Sequence, residues 1–200
     1  MKNKGILFVF SAPSGCGKGT VLPAVLKNHP EVHYSVSATT RKMREGEVDG
    51  VNYYFVSKEE FENLIATNGV LEYAEYCGNY YGTPRKIIEE KLESGISVLL
   101  EIETVGAMKV KETFPEAVFV FMLPPSIADL DKRLHNRGTD SDEVIAKRIA
   151  EATSEINRSF EYDFVFVNDD IDQAINDLDA ILTSAKHLTK VNKNLIKGVL

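Results

Sequence analysis

Cysteine is scarce in this chain. There are two in 200 residues, Cys16 and Cys77, with no metal-like spacing between them and no histidine cluster beside them. That excludes a disulfide framework and a Cys/His zinc site, and it reads as a reduced, cytoplasmic protein. Basic residues are in deficit too: 23 Lys and Arg stand against 30 Asp and Glu, a net charge of −7. A nonspecific nucleic-acid binder would carry a basic surplus. A nucleotide enzyme stays open, because a phosphate site needs only local positive charge. No apolar run approaches the ~18 residues of a membrane span, and the charged lead before the first apolar run is too short for a signal peptide. With only 13 Gly and 7 Pro among 44% apolar and 26% charged residues, the chain is globular in composition. Its length fits one domain with room for an inserted subdomain. No nucleic-acid and no membrane partner is therefore expected, and oligomeric state stays open.

What is present is organised around Ala12-Pro13-Ser14-Gly15-Cys16-Gly17-Lys18-Gly19-Thr20. It follows the apolar run Ile6–Phe10 and precedes a helix-like run from Val21 to Leu26. Strand, glycine-rich turn, lysine, helix is the phosphate-loop arrangement. Glycines let successive N–H groups turn inward on a polyphosphate, the helix adds its positive end, and Lys18 adds a full charge. Two positions depart from G-x-x-x-x-G-K-[ST]: Ala12 replaces the first glycine, and Gly19 stands where a Mg²⁺-binding hydroxyl usually sits. Cys16, in an electropositive loop near a helix start, has surroundings that lower a thiol pKa; an inert small residue is the alternative. Pro23 predicts a kink or a loosened first turn in the helix that follows.

The alternating run Val32–Val36 reads as a second strand. Next comes a stretch of hydroxyls and charges, Ser37 to Gly50, which would be a solvated loop but for Arg41 and Arg44. Two arginines three apart, after a hydroxyl cluster, suit a phosphate monoester, whose geometry Arg forks match better than Lys. Ser57 to Glu60 forms a capping box before the apolar face of Phe61, Leu64 and Ile65. Pro84 reads as a first helical residue and Gly95 as that helix's stop. From about 37 to 95, then, short elements interrupt the main α/β alternation as an inserted substrate subdomain would.

The alternation resumes with Val98–Glu103, an apolar strand ending in carboxylates. Strand ends of this kind face the ligand crevice of an α/β sheet, which places Glu101 near Mg²⁺ or its waters. Glu103 can equally be a surface carboxylate beginning the next helix. Ala117–Met122 and Phe164–Val167 are two further buried-strand runs. Between them Arg133, Arg137 and Arg148 flank a polar, glycine-bearing loop; they are surface charges or the arginines of a closing lid. The lysine-rich end after His187 is expected to fray.

Taken together, Ser37-Ala38-Thr39-Thr40-Arg41-x-x-Arg44-x-Gly46-Glu47, Gly78-Asn79-Tyr80-Tyr81-Gly82, Val167-Asn168-Asp169-Asp170 and the phosphate loop resemble the guanylate kinases. The resemblance runs over nearly the whole chain. It implies a three-layer α/β P-loop NTPase core (1–36 and 96–200) with a parallel five-stranded sheet. The implied strands are Gly5–Phe10, Val32–Val36, Ser97–Ile102, Ala117–Met122 and Asp163–Val167. A GMP-binding insertion spans about 37–95 and a lid about 137–148. The implied reaction moves the γ-phosphoryl of ATP, with Mg²⁺, to GMP. Lys18, Arg41, Arg137 and Arg148 would be catalytic, and the phosphate loop, Arg133 and Asn168 would bind ATP, with Asn168 at the adenine. Arg41, Arg44, Tyr53 and Tyr81 would hold the GMP phosphate. Ser37 and Thr83 would reach guanine O6, and Glu72 would accept from N1–H and the 2-amino group, with Glu103 also on the GMP side. No direct protein ligand to the metal is assigned, only Glu101 through water. Met43, Glu101, Glu103 and Gly19 depart from common family residues. A kinase for another monophosphate, or a non-catalytic peptide-binding relative, are the competing readings.

Overall fold

The computed structural model describes residues 4–136, 138 and 140–199. Its main sheet has five strands: β1 (Leu7–Ser11), β2 (Val32–Tyr34), β7 (Ser97–Glu101), β8 (Val118–Leu123) and β9 (Phe164–Val167), in the order β2-β7-β1-β8-β9. All four pairings are parallel. The inner strands β7, β1 and β8 are near-continuous apolar runs because both their faces are covered, whereas the edge strand β9, expected to be a buried run, leaves Val165 and Val167 exposed. Alternation then decides which layer each side chain enters. Phe8 and Phe10 of β1 face helices α1 (Lys18–Asn28) and α7 (Ile171–Ala185), whereas Leu7 and Val9 face α3 (Arg85–Glu93) and α4 (Thr104–Thr113). Helix, sheet, helix gives three layers, as expected. Strand limits differ from the expected ones by one or two residues; β2 ends at Tyr34, and Ser35 N still donates to Leu99 O at 2.9 Å as the last bond of its pairing with β7.

A second, four-stranded sheet carries β3 (Ala38–Thr39), β4 (Tyr54–Phe55), β5 (Val70–Tyr76) and β6 (Asn79–Pro84) in the order β4-β3-β6-β5. Helix α2 (Lys58–Ala66) closes it, and Phe61 of α2 is fully buried against it. The capping box forms as predicted: Ser57 Oγ accepts from Glu60 N at 3.1 Å, and Glu60 Oε2 accepts from Ser57 N at 2.7 Å. Strands β5 and β6 make a hairpin whose two turn residues, Cys77 and Gly78, both have positive φ, the twist a two-residue hairpin requires. The register of this pair shifts between Val70 and Tyr73, so Val70, Leu71 and Glu72 are all buried in succession. That bulge explains why the alternation looks imperfect in sequence.

Helices α5 (Ile127–Asn136) and α6 (Asp142–Arg158) pack on each other through Leu130, Leu134, Ile145 and Ala152. Helix α1 runs on through Pro23, and in its first turn Gly17 O accepts from both Thr20 N and Val21 N. Two expectations need correction. Pro84 caps α3 rather than entering it, because its carbonyl-side ψ of 117° is still extended. The lysine-rich end does not simply fray. Leu188 and Val191 pack on the core, Lys190 donates to Ala117 O at 2.7 Å and pairs with Asp163, and Lys193–Lys197 forms α8.

Candidate active site

The carboxyl ends of β1, β7, β8 and β9 share one edge of the parallel sheet, and the chain leaves β1 there as the glycine loop. Gly15 and Gly17 have φ of 92° and 102°, a conformation that L side chains rarely adopt. Space is short as well. A Cβ on Gly17 would lie 2.4 Å from Asn168 Nδ2, and one on Gly15 would lie 2.8 Å from a Leu134 methyl. The loop is thus fixed by contacts from β9 and α5, not by its own sequence alone. Lys18 bends back over it, donating to Ala12 O at 2.5 Å and Pro13 O at 3.4 Å. Gly19 and Thr20 are exposed at the start of α1, and a Cβ at Gly19 would meet nothing within 4 Å.

Cys16 reverses expectation. Its thiol is fully buried and points to Met122 O, 3.5 Å away. Burial pushes its pKa up to about 11, and the positive charge of Lys18 and Arg133 only partly offsets this. It is a core residue, not an activated thiol. Asn168 is equally buried; its Nδ2 donates to Cys16 O at 2.7 Å, so that donor is committed to the phosphate loop. Arg133 donates to Asn168 O at 2.9 Å, which ties α5 to the same corner.

On the second sheet, Arg41 lies with its guanidinium 5.4 Å from the Tyr53 ring and 5.6 Å from the Phe55 ring. Tyr53 meets Tyr81 edge-on at 6.0 Å, so Arg41, Tyr53 and Tyr81 form one cluster. The flanking hydroxyls hold the loop: Thr39 Oγ1 donates to Tyr80 O and accepts from Arg41 N, while Thr40 Oγ1 accepts from Tyr80 N. Arg44 is exposed beside them, and so is Met43. Glu72 sits at the bulge, buried, with Thr83 Oγ1 donating to its Oε1 at 2.7 Å. Burial raises its pKa, and the hydrogen bond from Thr83 opposes that only in part. Ser37 receives Tyr54 N on its carbonyl at 2.9 Å, which sets its place at the start of β3.

Glu101 ends β7, with Phe10 of β1 as its register partner. Its Oε2 accepts from Tyr34 Oη at 2.9 Å. Glu103 precedes α4 as an exposed N-cap residue without a side-chain capping bond. Arg148 on α6 pairs with Asp140 at 3.2 Å. Arg137 lies outside the described residues.

Sequence reasoning missed three groups. Tyr34 braces Glu101, and burial plus that carboxylate raise its pKa. Glu47 grips Arg41 and also accepts from Arg44 N at 2.7 Å; its spacing of three from Arg44 and six from Arg41 was the available signal. Glu155 on α6 faces Lys18 and Glu103 closely enough to interact with both, and burial raises its pKa. Nothing in the α6 periodicity marks it.

A three-layer parallel sheet with a lysine-bearing glycine loop at its carboxyl edge defines a P-loop kinase fold, and comparison with known proteins narrows it. A sequence model described as guanylate kinase matches residues 4–185. The guanylate kinase of Desulfitobacterium hafniense is 49% identical over 198 residues, covering 99% of each chain. That of Vibrio parahaemolyticus is 53% identical over 199 residues, covering 98% of this chain and 96% of its own. The crystal structure of guanylate kinase from Anaplasma phagocytophilum superposes with a TM-score of 0.74 at 36% identity, covering 94% of this chain and 90% of that one. The chain belongs to the guanylate kinase family, enzymes that phosphorylate GMP with ATP to give GDP.

Proposed function

We propose that this chain transfers the γ-phosphoryl group of Mg-ATP to GMP, with the phosphate loop and α1 taking ATP and the second sheet taking GMP. The observation that carries the reading is the pairing of two unlike recognition groups on one small sheet. The Arg41–Tyr53–Tyr81 cluster suits a phosphate monoester, and the buried Glu72–Thr83 pair suits a base with two adjacent donors. Adenine offers an unprotonated N1 that a carboxylate repels, so the same pair rejects AMP.

In this reading Lys18 leaves the carbonyls of Ala12 and Pro13 for the β- and γ-phosphates, and the loop N–H groups take the remaining oxygens. Arg41 and Arg44 hold the GMP phosphate, with Ser37 toward guanine O6; Thr83 gives its one O–H to Glu72 and so steadies that carboxylate instead of donating to O6. Arg133, Arg137 and Arg148 neutralise charge on the transferring group as the segment of about 137–148 closes. The attacking GMP phosphate oxygen is already ionised, so no protein base is required. Alignment and charge neutralisation carry the reaction. Closure also keeps water from competing with GMP.

A Mg²⁺ ion suits the donors at the β7 edge. Glu101 offers hard carboxylate oxygens of the kind it prefers, and the Tyr34 bond fixes that carboxylate. Bound with ATP, the ion would neutralise phosphate charge. Glu101 would hold its waters, and Gly19 would offer it no ligand. No helix among the described residues is long and apolar enough to cross a membrane, and a cytoplasmic site of action accords with the free thiols.

The test is a coupled assay of ADP formation with ATP and each of GMP, AMP, UMP and CMP. Turnover confined to GMP is expected. Equal turnover of AMP would assign the chain to another monophosphate, and none with any would favour a binding module.

A further inference from the structure

Gly106 has no conformational reason to be glycine. It lies inside α4, its φ is not among the positive ones, and alanine is the better helix former there. It is buried, and what surrounds it supplies the reason. A Cβ at Gly106 would stand 2.9 Å from Glu72 Oε2, 3.3 Å from its Cδ and 3.4 Å from its Cγ. The three nearest atoms a side chain would meet all belong to the residue that reads the base.

Glu72 has little room to yield. The bulge in β5 fixes its backbone, its side chain is buried, and Thr83 holds Oε1 at 2.7 Å. A methyl group at Gly106 would press on Oε2 while Thr83 keeps Oε1. The carboxylate would therefore have to turn out of the plane in which it meets two parallel donors. We infer that Gly106 is a positioning residue for guanine selection: its missing side chain is the space in which the Glu72 carboxylate is held for the base. This rests on the reading of Glu72 as the guanine acceptor. It extends the recognition site from the second sheet to α4, the helix that directly follows the Glu101 strand.

The experiment measures kcat and KM for GMP and for IMP, which lacks only the 2-amino group, in the full chain. Wild type, Gly106→Ala, Glu72→Ala and the double variant are compared. Gly106→Ala should raise the GMP KM by about tenfold and erode the preference for GMP over IMP, with kcat and the ATP KM nearly unchanged. In the Glu72→Ala background the same substitution should cost nothing further, because the group it displaces is gone. If Glu72→Ala itself leaves the GMP preference intact, the reading of Glu72 fails and this inference with it. If Glu72→Ala abolishes the preference while Gly106→Ala behaves as wild type, only the role of Gly106 is overturned. An equal loss from Gly106→Ala in both backgrounds would also overturn it. Should Gly106→Ala alone fail to fold, a folded double variant would still identify Glu72 as the clashing group. Failure of both to fold would place the clash elsewhere and refute the proposal.

Discussion

Arg41 and Glu47 clasp each other fork to fork, Nη2 to Oε1 at 2.7 Å and Nη1 to Oε2 at 3.0 Å. Glu47 thereby presents two oxygens to Arg41 much as a phosphate would, and its bond from Arg44 N shapes the loop that carries both arginines. Arg41 first, and then Arg44 N, hold the Glu47 carboxyl down at about 2, below its ordinary 4.5. A carboxyl lowered on folding stabilises the fold above its ordinary value and loses that contribution as pH falls toward the lowered one. Glu47→Gln should therefore have a lower Tm than wild type at neutral pH, and the gap should close between about pH 4.5 and 2. Paired melting curves across that range check it. A gap independent of pH would mean that the clasp is not what the substitution removed.

The arginines should divide by kinetic effect. Arg41 is seated among Tyr53, Phe55 and Tyr81 on the second sheet, whereas Arg148 belongs to α6 beside the loop that would close. Arg41→Ala and Arg44→Ala should raise the GMP KM with kcat little changed. Arg148→Ala should lower kcat with KM little changed. Lys18→Ala should lower kcat by about 10²–10³, the loss expected on removing one donor that stabilises transition-state charge. Initial rates over GMP and ATP concentrations separate these cases. The reverse split would exchange the two roles.

Cys77 should alkylate and Cys16 should not. Cys77 is exposed in the hairpin turn, while Cys16 is buried with its thiol pushed up to about 11. Iodoacetamide at neutral pH should label one site in the native chain and two after unfolding, read by mass spectrometry. Native labelling of Cys16 would show that the loop opens.

The contrast at Cys16 marks what the sequence could tell and where it stopped. The glycine loop, the five apolar strands and the Ser57–Glu60 cap were legible because each depends on neighbours within a few residues. Whether a loop thiol turns to the ligand or to the core depends on Met122 and Asn168, more than 100 residues away in sequence. The β5 bulge that aims Glu72 is set by pairing with β6, and the docking of Leu188 and Val191 by a core no local pattern displays. The arginine pair suggests a phosphate grip from its spacing alone, and the spacing of Glu47 hints at a partner, but the fork-to-fork clasp on Arg41 follows only from how the loop folds.

Glu72 should make base selection pH-dependent. Burial raises its pKa, so this carboxyl favours the fold when protonated, fully below its ordinary 4.5, and that contribution is lost as pH rises through the raised value. Guanine recognition asks the opposite, since only the ionised form accepts from both N1–H and the 2-amino group. The GMP preference over IMP should thus fall as pH drops through the raised value. Taking the ratio cancels the titration of the phosphate that both substrates share. Measured from pH 8 to 5, it should decline in wild type and stay flat in Glu72→Gln. A decline that persists in the variant would assign the titration to another group.

Asn168 gives the sharpest choice between two roles. The family resemblance puts it at the adenine, yet its Nδ2 is buried and donates to Cys16 O at 2.7 Å. Its own carbonyl meanwhile receives Arg133 at 2.9 Å. A side chain committed in this way holds the phosphate loop from behind, and it occupies the space that a Gly17 side chain would need. Asn168→Ala should then leave the Cys16 carbonyl unpaired in the interior, at a cost of about 1–3 kcal/mol in stability. It should raise the KM for ATP and for GTP as donors alike, since a slackened loop grips any triphosphate less well. The GMP KM should hold. Thermal melting, with donor kinetics for both triphosphates, separates the roles. An unchanged Tm with a loss confined to ATP would show that Asn168 reads the base, and that the bond to Cys16 is incidental to its work.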